Sequence, residues 1–146
     1  MDPLSDVLRS MRLTGGIFLE AEFTAPWCIV SRVEPEDCAP FGYVPRTLIA
    51  YHYVEEGELL LRIDGGPDIL ARPGEILLLP QNPPHILASG PDIPAADSHD
   101  LILPAAEGGL ARIVHGGGGA RTRIVCGFLG NETPGDTLLS FLPPVL

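Results

Sequence analysis

The chain has 146 residues, 45% of them apolar, and it carries 17 glycines and 16 prolines. That length suits one domain, 1–146, with one core, and apolar runs broken so often by Gly and Pro favour many short strands over long helices. Nineteen acidic against nine basic residues leave a formal charge of −10, which repels a phosphate backbone, so this segment is not expected to bind nucleic acid directly.

Asp2 followed by Pro3 suits an N-cap and first helical position, and Leu4, Val7, Leu8 and Met11 then form the stripe of a short amphipathic N-terminal helix. Beyond Gly15 and Gly16, Ile17, Leu19, Ala21 and Phe23 alternate with polar residues as in a half-buried strand. A second short strand follows at 27–32, then a turn-rich loop at 34–45 holding Pro35, Pro40 and Pro45. Residues 47–54 and 58–64 read as a hairpin joined through Gly57 and ended by the D-G-G turn at Asp64, Gly65 and Gly66.

Another strand turns at Pro73 and Gly74 and runs on over 75–79, and a brief apolar segment follows at 86–88. The polar, Pro-containing residues 89–100 are expected to form an exposed connection with His99 solvated. Residues 110–115 and 121–129 read as two strands of a hairpin turning through Gly116, Gly117, Gly118 and Gly119, and Arg121 and Arg123 as a solvated strand start. The tail begins like a helix and is stopped by Pro143 and Pro144. Three cysteines without C-x-x-C suggest neither a disulfide framework nor a zinc ribbon. Without a signal-peptide pattern or an apolar run of ~18 residues, the expectation is a cytoplasmic protein with no membrane contact. The whole pattern predicts an all-β sandwich or small barrel.

One stretch, RPGEILLLPQNPPHIL, has a definite spacing from Gly74 through Pro80 and Asn82 to His85. It resembles the second cupin motif, G-x5-P-x-G-x2-H, with Asn82 replacing the internal Gly; Asn is the non-Gly residue that most readily takes a left-handed turn. The resemblance implies a cupin-like double-stranded β-helix, a jelly-roll barrel. Val54, Glu56, Gly57 and Glu58 look like the end of the first cupin motif, but Ala50 stands where that motif has its Glu, and its His pair is missing around Tyr43 to Arg46. The usual three-His, one-Glu metal site is therefore not written in the chain.

By strand parity His52 faces the interior with Ala50 and Val54, where His85 and Cys126 could join it. Imidazole nitrogen and thiolate sulfur suit zinc, so His52, His85 and Cys126 are candidate metal ligands. The alternative reading makes both histidines pocket or core residues and Cys126 a small buried apolar one. His115 and its four glycines lack the GK[ST] of a phosphate-binding loop. A Ser-His-Asp triad is also unsupported, since no G-x-S-x-G occurs and Ser31, Ser89, Ser98 and Ser140 fall in turn or surface contexts.

Over nearly all of 1–146 the chain resembles the N-terminal effector-sensing domain of AraC-type transcription regulators. The stretches that carry this are DPLSDVLRSMRL, AEFTAPW, YHYVEEGELLLRIDGG, RPGEILLLPQNPPH and HGGGGARTRIVCGFLG. The resemblance implies a barrel that binds a small-molecule effector, forms a homodimer and is followed by helix-turn-helix motifs that bind DNA. Those motifs are absent from this sequence, so an excised sensor domain is expected. Trp27, for its large rigid face, and His52 and His85, for polar fixing, are the candidate ligand contacts. On this reading the domain is not an enzyme. The competing reading is a small stand-alone metal-dependent cupin enzyme using His52, His85 and Cys126.

Overall fold

The computed structural model describes residues 13–31, 47–103, 110–131 and 143–145. The expected N-terminal helix, the loop at 34–45, Cys38 and the start of the C-terminal tail lie outside these residues. Ten strands are described: β1 (Leu13–Thr24), β2 (Cys28–Ser31), β3 (Thr47–Glu56), β4 (Leu59–Ile63), β5 (Ile69–Ala71), β6 (Ile76–Leu79), β7 (His85–Ala88), β8 (Ala96–Asp97), β9 (Ala111–Gly116) and β10 (Arg121–Asn131). One short helix, α1 (Ser98–Leu101), follows β8. The strands form two five-stranded sheets, ordered β6-β3-β10-β1-β9 and β5-β4-β7-β2-β8. This is the all-β, jelly-roll architecture expected from the sequence.

The alternating pattern carries over directly into burial. Leu19, Ala21 and Phe23 of β1 point inward, as do Ala50, His52 and Val54 of β3 and Ile124, Cys126 and Phe128 of β10. All of these except His52 and Phe128 meet Ile29, Leu59, Leu61 and Leu87 from the other sheet in a single apolar cluster. Each such Leu, Ile or Phe contributes roughly 1.5–3 kcal/mol by leaving water. The second face stays wet: Arg121 on β10 pairs with Glu22 of β1 at 3.1 Å and with Glu56 of β3 at 3.1 Å. The basic pair at the start of β10 is thus a solvated cross-strand ladder.

Two expected hairpins are not hairpins. β3 and β4 do not pair; β3 bonds β10 and β6 in the first sheet, whereas β4 bonds β5 and β7 in the second. Gly57 is the point at which the chain crosses between sheets, with φ +77°, and a Cβ there would run into the Arg121 carbonyl and Thr122. A local reading sees two apolar runs and a turn, and it cannot tell a hairpin from a sheet-to-sheet crossing. The hairpin in this region is β4–β5, turned by Asp64, Gly65 and Gly66, where Gly66 N–H donates to the Ile63 carbonyl at 2.8 Å. A second crossing at Pro73 and Gly74 separates β5 from β6, and there the Gly74 N–H donates to the Val54 carbonyl at 2.8 Å.

Nor are β9 and β10 neighbours. β1 lies between them, parallel to β9 and antiparallel to β10. The four-glycine segment arches over the end of β1: Gly117 N–H donates to Thr24 O, Gly119 N–H to Ala25 O, and Ala25 N–H to Ala120 O, all at 2.8–2.9 Å. Side chains at Gly116, Gly117 or Gly119 would strike Thr24, Ala25 or Pro26, which is why the arch is written in glycine.

Crowding and left-handed backbone can be separated by mutation. Gly57→Ala and Gly116→Ala meet both, and each is expected to cost about 2–4 kcal/mol. Gly74→Ala and Gly118→Ala have positive φ but open space, so about 1–2 kcal/mol is expected from backbone strain alone. Urea unfolding of the four variants should show this ordering; equal losses would mean that the close approaches do not matter.

Candidate functional site

The strand registers that build the sandwich also bring three of the singled-out residues together. Cys126 of β10 lies directly opposite His52 of β3, and His85 opens β7 in the facing sheet, opposite Ser31 of β2 and Ile63 of β4. His85 is delivered by the expected turn: Asn82 takes φ +50°, and its N–H donates to the Leu79 carbonyl at 3.0 Å. Both histidines are almost fully buried, at 1% and 2% exposure.

Their contacts form a chain. His85 Nδ1 lies 2.9 Å from the Pro83 carbonyl, His85 Nε2 lies 2.7 Å from His52 Nε2, and His52 Nδ1 lies 2.9 Å from Cys126 Sγ. A carbonyl only accepts, so His85 must carry its proton on Nδ1, and in the neutral ring its Nε2 then accepts. His52 must therefore donate from Nε2, which leaves Nδ1 to accept from the Cys126 thiol. One set of tautomers satisfies every bond: Cys126 S–H to His52, His52 N–H to His85, His85 N–H to Pro83.

The electrostatics support the uncharged form. Burial, with His85 alongside, holds His52 well below the usual histidine range. His85 is lowered by burial against the opposing effect of its bond to Pro83, and burial pushes the Cys126 thiol up to about 12. A thiolate–imidazolium pair, the reactive form of a Cys-His couple, is thus disfavoured on both sides.

A zinc site at the candidate ligands His52, His85 and Cys126 does not fit this arrangement. His52 uses Nε2 toward His85 and Nδ1 toward Cys126, in diverging directions from one ring, so the three donors share no common point. Two nitrogens bound tetrahedrally to one zinc at ~2.0–2.1 Å stand roughly 3.4 Å apart, whereas the His52–His85 separation of 2.7 Å is that of a hydrogen bond. Among the described residues no group of three or more His, Cys, Asp or Glu side chains could hold a metal ion. Ala50, in the place of the missing Glu, is fully buried and offers no donor.

Trp27 is not beside the histidines. It lies four positions before Ser31 on the β2 side, about 13 Å along the strand. There it stacks on Phe23 with ring centroids 4.0 Å apart, and its backbone N–H donates to Ser89 Oγ at 2.9 Å.

Sequence reasoning missed two residues. Ser31 and Ser98 are 7% and 6% exposed, not on the surface, and both line a small pocket of about 20 Å³ with His52 and Cys126. Ser31 is inward by the same parity as Ile29, a signal that was available. Ser98 was not readable, because the expected exposed connection folds instead as β8 and α1, with Asp97 Oδ1 capping the His99 N–H at 3.0 Å. His99 accordingly is only partly exposed. Outside the barrel an open cleft of about 650 Å³ reaches His85 from the other side, past Arg62, Asp64 and Pro84.

Two measurements follow from the neutral chain. The folded histidines are depressed below their ordinary values, so below about pH 6.5 the unfolded chain takes up protons that the folded one refuses. Stability should fall as pH drops from about 7 toward 5, by up to about 1.4 kcal/mol per pH unit for each histidine, and His52→Gln should flatten the dependence. Urea midpoints across that range provide the check, and a flat wild-type profile would contradict the neutral pair. For the thiol, Cys126 should resist iodoacetamide at pH 8 in the native protein and react within minutes in denaturant; rapid native labelling of Cys126, mapped by mass spectrometry, would show an ionised sulfur instead.

Comparisons with known proteins agree with this geometry at the level of the fold. Searches of curated proteins and of solved structures found no match. A family model described as cupin matches residues 2–146. The turn that delivers His85, the two-sheet jelly roll and this match over nearly the whole chain establish that the protein belongs to the cupin family.

Proposed function

We propose that this cupin domain is a binding module: it takes up a small-molecule effector, pairs with a second copy, and so modulates DNA binding by a helix-turn-helix region of an AraC-type regulator in the cytoplasm. The observation that carries this reading is the saturation of the imidazoles. All four ring nitrogens of His52 and His85 are engaged in a neutral chain, so the pair has no free lone pair with which to hold a catalytic metal or abstract a proton. A site with polar groups, apolar walls and no poised base is suited to recognition rather than turnover. The acidic balance of the chain agrees with a division of labour in which another region contacts DNA. No helix among the described residues is long and apolar enough to cross a membrane.

An effector that binds only the folded domain must stabilise it, by about 2.7 kcal/mol at a hundredfold excess over Kd. Thermal melts against a library of small metabolites should therefore reveal at least one compound that raises Tm in a saturable way. The same preparation, purified without chelator, should contain no stoichiometric metal. Stoichiometric zinc or iron, together with no stabilising compound, would overturn the binding reading in favour of a metal-dependent cupin enzyme.

A further inference from the structure

Beside the layer that holds His85 the barrel carries an open, largely apolar cleft of about 350 Å³, within the size range of small-molecule sites. One side is the β4–β5 hairpin, with Ile63, Pro67, Ile69 and the turn that begins at Asp64; the other is the segment 143–145, with Pro144 and Val145. Ile63, Ile69 and Val145 are half-buried and pack against the core cluster, so the floor of the cleft is the edge of the core itself. Ile63 also pairs with His85 across β4 and β7, which sets that floor beside the histidine chain.

Among the described residues one charged side chain lines the cleft, Asp64. It enters none of the ion pairs among those residues. Arg62, which shares the neighbouring cleft of about 650 Å³ with Asp64, has Asp68 as its ion-pair partner at 3.8 Å. The formal charge of −10 adds a field that draws cations and repels anions.

We propose that this cleft binds an organic ammonium, a small molecule whose apolar body lies on Ile63, Ile69, Pro144 and Val145 and whose amine is held by the Asp64 carboxylate. This rests on the reading of the domain as an effector-binding module and adds the class of the effector and the place where it binds. A carboxylate of the same shape would meet Asp64 as a like charge, and a neutral alcohol would keep the apolar contact but lose the charge-assisted bond. The barrel interior has no comparable room: the pocket beside His52 and Cys126 measures about 20 Å³, the scale of one water molecule. The location also gives binding a consequence. The hairpin and Val145 come from distant parts of the chain, and a molecule seated between them ties one to the other. On the AraC-type reading the DNA-binding region follows this segment, so an effector here acts on the link between sensor and partner.

The test uses benzylamine, benzyl alcohol and benzoate as matched probes at neutral pH, read by amide shifts in the isotope-labelled chain. Millimolar benzylamine should shift the amides of Asp64, Gly65, Gly66, Ile69 and Val145 saturably, benzyl alcohol should do so more weakly, and benzoate should leave them in place. Asp64→Asn, which keeps a residue favoured in the same turn, should weaken benzylamine binding about fivefold, the loss expected for one partly exposed ion pair. Should that variant fail to fold, the contrast among the three probes on the wild-type chain decides. Equal responses to the three probes, an Asp64→Asn variant that binds benzylamine as the wild type does, or shifts confined to residues outside the cleft would each overturn the ammonium site. The effector reading fails on a different result, the absence of any stabilising compound in the thermal melts.

Discussion

The 2.7 Å hydrogen bond between His52 and His85 joins the two sheets through their common interior. Most of what surrounds it is apolar, and an unpaired imidazole there would carry a desolvation cost of several kcal/mol. The pair is tolerable only because each ring's second nitrogen is also satisfied, by Cys126 on one side and the Pro83 carbonyl on the other. Three strands and one turn must therefore be in register at once. The bond fixes the level at which β3 and β7 face each other, and with it the place of everything else in that layer.

That constraint also explains why His52, His85 and Cys126 do not converge on one point as metal ligands would. A metal-binding imidazole needs an exposed lone pair aimed at a shared point, with its other nitrogen donating to an outer partner. His85 keeps the outer partner, Pro83, but its inner nitrogen meets a second imidazole instead of an ion. The same geometry that would orient a ligand for zinc now orients an acceptor for His52. Neutrality is what the arrangement selects, since burial disfavours the charged form of both rings.

Around this layer the chain keeps its polar demands local. The arch of glycines satisfies the end of β1 with backbone bonds, and the arginines at the head of β10 pair with Glu22 and Glu56 in solvent, where exposed pairs contribute about 0–1 kcal/mol. Among the described residues the buried polar side chains are His52, His85, Ser31, Ser98 and Thr122. The segment carrying Ser98 is joined to the sheets by the two-residue pairing of β8 with β2 and by a bridge between Leu103 and Arg112.

The sequence by itself determined the strand positions, the faces that point inward and the turn that presents His85, because alternation and left-handed turn chemistry act over a few residues. It also brought His52, His85 and Cys126 to one interior face by parity. Which strands pair was not written locally: the runs around Gly57 and the four glycines look like hairpins, yet the chain crosses between sheets at one and arches over β1 at the other. Nor could spacing tell a convergent metal site from a chain of hydrogen bonds, since that depends on which nitrogen of His52 faces which neighbour. Trp27 and Ser98 show the same limit, as their places depend on distance along β2 and on a loop that folds back over the barrel. Local physics specifies elements and faces, whereas register and ring orientation arise only when the two sheets close on each other.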